Sequence, residues 1–121
     1  DDQAAIRKKV MKAVTDSGPT ELNAKKPDAV ANLFTIMRLV SDKDTYDFFD
    51  RQNNACEIRY GDLKKQLAAD IDRFCAPIRE RIAELYRDTD YLDRIAREGA
   101  EKARAGACDT MKEVRKIIGF R

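Results

Sequence analysis

The stretch "YLDRIAREGAEKARAGACDTMKEVRKII", residues 91–118, decides the fold. Leu92, Ile95, Gly99, Ala103, Ala107, Met111, Val114 and Ile118 recur at three- and four-residue spacing, the period of one helical face. Gly119 just beyond is a suitable stop. The spacing predicts a helix from about Asp90 to Ile118. Two glycines stand inside it, Gly99 and Gly106, where each costs about 1 kcal/mol relative to alanine. The neighbouring Ala100, Ala103 and Ala107 are small as well, so a second helix backbone could approach closely and offset the lost propensity. The other reading is that the gap admits something from outside the chain.

The same period runs backwards through residues 60–87, where Leu63, Leu67, Ile71, Phe74 or Cys75, Ile78, Ile82 and Leu85 mark a second long helix. Pro77 within it removes a backbone donor and should kink it. The connection "RDTD" is short, with Thr89 a candidate cap, which predicts antiparallel neighbours. Further upstream, Ile6, Val10 and Val14 predict a helix over 3–14, preceded by Asp1 and Asp2 at its positive end. "TDSGPTELNAKK" reads as a loop. Pro27 and Asp28 open a helix that is apolar over a broad arc (Val30, Leu33, Phe34, Met37, Leu39, Val40). Ser41 or Asp42 then caps a short helix presenting Tyr46, Phe49 and Phe48. The expected fold is all-α, a helical bundle of about five helices dominated by a long antiparallel C-terminal hairpin.

Composition narrows the chemistry. The 121 residues contain no histidine, which removes histidine general acid/base work, Ser-His and Cys-His nucleophilic pairs and nearly all zinc sites. Carboxylate pairs such as Asp70 and Asp72 or Glu80 and Glu84 come without a nucleophile beside them and read as solvated faces with i,i+4 ion pairs. The three cysteines form no CxxC pair and read as reduced thiols, Cys75 and Cys108 as small core residues. No run is long and apolar enough for a membrane span, and the first residues lack the apolar core of a signal peptide. The net charge is only +2, so contact with a polyanion must come from local clusters of Lys and Arg. Candidates are Lys64 and Lys65, Arg79 and Arg81, and Lys102 with Arg104 next to Gly99, a gap through which an RNA backbone could approach.

Several stretches resemble the carboxy-terminal part of bacterial tryptophanyl-tRNA synthetases: "KKVMKAVTDS" (8–17), "ANLFTIMRLVS" (31–41), "YGDLKKQLA" (60–68), "PIRERI" (77–82), "EGAEKARAGA" (98–107) and "TMKEVRKIIGF" (110–120). They occur in the family's order and span essentially the whole chain, "AVTDS" and "GAEKA" being the more specific. The chain departs from the family at "RQNNACEIRYG", where a Gly-rich connection is usual, at "TELN", and at Ala31, where a serine is common.

The resemblance implies a piece of a class I aminoacyl-tRNA synthetase without the HIGH and KMSKS signatures, which belong to an amino-terminal Rossmann domain. The whole enzyme would use ATP with Mg2+ and tryptophan; this part is expected to hold no cofactor and no metal and to have no catalytic residue. Residues 1–26 would be the first helix and the junction to the catalytic domain, and 27–121 the anticodon-binding region. Thr15, Asp16 and Ser17 would form the interdomain junction. Lys64, Arg81, Lys102 and Arg104 would contact the anticodon stem-loop, with bases read by hydrogen bonds and stacking. Expected partners are tryptophan tRNA and the catalytic domain of the same chain, in a cytoplasmic enzyme that is a homodimer; the part alone would be monomeric or would associate through apolar surface. The competing reading is a free-standing helical interaction module that binds a protein and no RNA.

Overall fold

A computed structural model describes residues 1–119, and among them there are five α-helices and no strand: α1 (Gln3–Met11), α2 (Asp28–Val40), α3 (Lys43–Asn54), α4 (Tyr60–Arg87) and α5 (Thr89–Ile118). No described helix is long and apolar enough to cross a membrane. The chain divides into a first compact unit, Asp1–Ile78, and a second that begins at Arg79.

Local chemistry sets the helix ends. Asp2 accepts a hydrogen bond from the Ala5 amide at 2.8 Å and caps α1. Pro27, at φ −56°, precedes α2, and its carbonyl accepts the first helical bond from Ala31 at 2.8 Å. Asp42 precedes α3 but gives no side-chain cap. After α3 the chain reverses through Cys56, whose φ of 60° is unusual for a residue with a side chain. The cap of α5 is Asp88 and not Thr89: its carboxylate accepts from the Tyr91 amide at 3.0 Å, and it is the single residue between α4 and α5. Gly119, at φ 80°, closes α5 in the left-handed conformation. The helix α4 continues through Pro77.

In the first unit, the core is built from Val30, Leu33, Phe34 and Met37 of α2, Phe49 of α3, and Leu63 and Leu67 of α4. Tyr46 packs edge-on against Phe34 with ring centres 5.7 Å apart, and Arg38 lies over the Tyr46 ring and donates to its hydroxyl at 2.9 Å. Lys26, from the long loop, sits over the Phe34 ring and pairs with Asp50 at 2.6 Å. The carboxylate of Asp70, only 2% exposed, accepts from Ser41 Oγ at 2.5 Å and Gln66 Nε2 at 3.1 Å and pairs with Arg73 at 3.1 Å. Ser41 thus ties the end of α2 to α4 instead of capping α3. Phe48, expected to pack, is exposed.

The second unit differs from expectation in its packing. No side chain of α5 is fully buried, and Leu92, Ile95, Met111 and Val114 all keep substantial exposure. A Cβ built on Gly99 or Gly106 meets nothing within 4 Å, so close helix approach does not account for these glycines. Cys108 is exposed and Cys75 half-buried, so neither is a core residue.

The open space at both glycines generates a direct test. Gly99→Ala and Gly106→Ala are each expected to stabilise α5 by about 0.5–1 kcal/mol, because alanine restores helix propensity and meets no neighbour. A rise in the thermal midpoint followed by circular dichroism is the readout; a fall would mean that these positions need the missing side chain.

Candidate functional site

The loop after α1 is the best-built polar site in the first unit. Asp16 Oδ1 accepts from the Gly18 amide at 2.9 Å, a two-residue side-chain turn, and Gly18 takes φ +112°, which favours glycine there. Thr15 is half-buried, and Asp16 and Ser17 face solvent. Two side chains from the first turns of α4, Tyr60 and Lys64, hold the loop. They lie four residues apart and so share a helical face.

Lys64 is only 8% exposed. Its Nζ donates to the Ala13 carbonyl at 2.7 Å and to Thr15 Oγ1 at 3.1 Å. Burying an ammonium is unfavourable unless its protons find acceptors, and here the acceptors are the loop itself. Lys64, expected to contact RNA, has its Nζ engaged by the loop after α1, next to Thr15. One helical turn earlier, the Tyr60 hydroxyl donates to the Asp16 carboxylate, and burial together with that bond and that negative charge pushes the phenol up to about 12. Three successive loop elements, at Ala13, Thr15 and Asp16, are thus fixed by two side chains of α4.

This anchoring explains why α1 is shorter than its apolar spacing predicts. The helix ends at Met11, Ala13 packs on the core, and Val14, expected on the buried face, is 77% exposed. Tyr60 was absent from the expected site residues. Its signal lay in the Tyr60–Lys64 spacing, which places both side chains over whatever packs beside α4.

The remaining candidate cations are solvated. Arg81 pairs with Glu84 at 3.0 Å on an exposed surface, an interaction that leaves the guanidinium exchangeable. Lys102 and Arg104 are exposed and have no ion pair among the described residues. Two residues apart on a helix means roughly 200° of rotation, so α5 presents them on opposite sides and they do not form one cluster. Arg104 shares its side with Arg97, seven residues earlier, with Glu101 between them. Lys102 shares its side with Glu98, which is also 4.0 Å from Arg94, and with Asp109.

Comparison with known proteins gives a consistent answer. All 121 residues match a tryptophan–tRNA ligase of Porphyromonas gingivalis at 60% identity, covering 37% of that protein. Tryptophan–tRNA ligase 1 of Streptomyces coelicolor is 38% identical over 99% of this chain and 34% of its own length. A tryptophan–tRNA ligase of Rickettsia felis is 34% identical over 99% of this chain and 36% of its own length. The chain therefore spans about a third of the length of the curated relatives it matches. No family model matches it, and no solved structure does.

Two outcomes are expected from the anchored loop. In an alkaline absorbance titration, one tyrosine ionises near 12, and Tyr60→Phe removes that late step. Because the folded protein holds the Tyr60 proton more tightly than the unfolded chain, its contribution is fully present below about pH 10 and is lost as pH rises towards 12. Stability of the native chain should therefore fall over that interval more steeply than that of Tyr60→Phe. Lys64→Met leaves the Ala13 carbonyl and the Thr15 hydroxyl without their donor and should cost about 1–3 kcal/mol in urea unfolding. Faster amide exchange over residues 13–18 would accompany it; unchanged exchange there would contradict the anchoring.

Proposed function

Because the chain is homologous over its whole length to the carboxy-terminal region of tryptophan–tRNA ligases, we propose that it is the tRNA-selecting helical part of such an enzyme. The observation that carries this reading is the unbroken match across all 121 residues, 60% identical in one relative. The whole enzyme would activate tryptophan with ATP and Mg2+ and charge the tRNA in the cytoplasm; this part would bind the anticodon stem-loop and leave both chemical steps to the catalytic domain. Arg81, Lys102 and Arg104 are the proposed contacts. Their exposure supports the role, since solvated cations approach phosphates at little desolvation cost. Arg104 is the strongest of them: it shares its side of α5 with a second cation, Arg97, as well as with Glu101, whereas Lys102 shares its side with two carboxylates, Glu98 and Asp109.

The anchored loop supports the second half of the reading. A junction that transmits the position of bound tRNA has to be stiff, and Thr15 and Asp16 are held by Lys64 and Tyr60. Ser17, exposed at the end of this anchored run, would meet the catalytic domain.

The competing reading, a protein-binding module, is favoured by the exposed Leu92, Ile95, Met111 and Val114 of α5. One experiment separates the two. The chain is titrated with a tryptophan tRNA transcript and with the same transcript carrying an altered anticodon, at two salt concentrations. The tRNA reading expects a preference for the intact anticodon that persists at the higher salt, and a loss of about threefold to tenfold in affinity for Arg104→Ala with a smaller loss for Lys102→Ala. Equal, weak binding that disappears with salt would overturn it. The chain alone is also expected to form no tryptophanyl-adenylate.

A further inference from the structure

Between α1 and α4, in the first unit, a surface cleft of about 240 Å3 is lined by Gln3, Arg7, Lys65, Ala68 and Ala69. Of the basic residues considered above for contact with a polyanion, only Lys65 lines it, and no junction residue does. Gln3 and Arg7 lie four apart on α1; Lys65 lies three and four residues from Ala68 and Ala69 on α4. Each set therefore occupies one helical face. A guanidinium, an ammonium and a carboxamide line one opening, and no carboxylate is among the lining residues.

The electrostatics of this arrangement are specific. Arg7 and Lys65 have no ion pair or hydrogen bond among the described residues, in a chain where acidic side chains are nearly as numerous as basic ones. Two cations on one concave surface repel each other and raise the local potential, which an anion between them relieves. The remaining lining residues are two alanines, Ala68 almost fully buried and Ala69 exposed, which add no charge to the opening. A guanidinium fork matches two oxygens of a phosphate, a lysine supplies a point charge, and the glutamine amide supplies a neutral donor.

We propose that this cleft binds a phosphate group, through Arg7 and Lys65 with Gln3 as an additional donor. The phosphate is that of an RNA backbone or of a free polyphosphate. The first source rests on the tRNA reading above; the phosphate chemistry itself does not.

The test has two arms, both on the 121-residue chain. In the first, inorganic pyrophosphate is added in the millimolar range and backbone amide resonances are followed. Shifts confined to Gln3, Arg7, Lys65, Ala68, Ala69 and their immediate neighbours, and absent in the Arg7→Gln/Lys65→Gln double variant, are expected. No shift, shifts spread evenly over the lysines of every helix, or shifts that survive in the double variant would overturn the proposal. Both substituted side chains are exposed, so the double variant is expected to keep the native circular dichroism spectrum. In the second arm, the salt dependence of tryptophan tRNA binding is compared. If RNA supplies the phosphate, the slope of log K against log salt falls in magnitude by about one to two in the double variant. An unchanged slope with pyrophosphate shifts intact assigns the cleft to a free polyphosphate. Absence of tRNA binding with pyrophosphate shifts intact refutes the tRNA reading and leaves the phosphate cleft standing.

Discussion

The buried ammonium of Lys64 is the constraint around which the first unit is arranged. A lysine that is only 8% exposed and has no ion pair among the described residues must have its protons accepted by neutral oxygens. Those oxygens are the Ala13 carbonyl and the Thr15 hydroxyl. A carbonyl in mid-helix already accepts from the amide four residues ahead, so ending α1 at Met11 is what frees that of Ala13. The loop then follows, with Asp16 drawn to Tyr60 and Gly18 turned into positive φ. The next turns of α4 carry Leu63 and Leu67 into the core and Asp70 to Ser41 at the end of α2. A short run of α4 thus secures the ends of two other helices as well as the core.

Much of the helical architecture was legible in the sequence, because helix ends are written in local chemistry. Pro27, the Tyr60–Arg87 period and Gly119 each act within a few residues of the boundary they set, and those boundaries fall where the spacing predicts. The exceptions come from longer range. Val14 continues the apolar period of α1, yet the helix stops at Met11, and the Ala13 carbonyl accepts from the ammonium of Lys64, about fifty residues away, instead of from a helix amide. Ser41 has the chemistry of a cap, but the Asp70 carboxylate competes for its hydroxyl and wins. The small residues at Gly99 and Gly106 read as a packing seam, and only coordinates could show that nothing packs against them.

The candidate site was legible in kind but not in detail. Basic residues next to apolar periods were visible; which of them keep a free charge was not. Sequence alone gives Lys64 and Lys65 the same chemistry, yet one residue is 100° of helical rotation, enough to place the first under the α1 loop and the second on a solvent-facing cleft. Two residues, roughly 200° of rotation, likewise separate Lys102 from Arg104. Adjacency in sequence therefore misleads about charge clustering on helices, and a spacing of four, as in Tyr60–Lys64, is the one that puts groups side by side.

This geometry bears on how a nearly neutral chain would recognise a polyanion. With 24 basic against 22 acidic residues there is no bulk field to draw RNA onto the surface indiscriminately. Attraction has to arise where cations are locally in excess, at the cleft of Arg7 and Lys65 and on the side of α5 where Arg97 and Arg104 stand to either side of Glu101. Each place alone supplies only a weak, salt-sensitive contact. On the proposed function, an RNA that engages more than one of them at once gains affinity that neither contact supplies alone, so that selection rests on the combination of weak contacts and not on a bulk field.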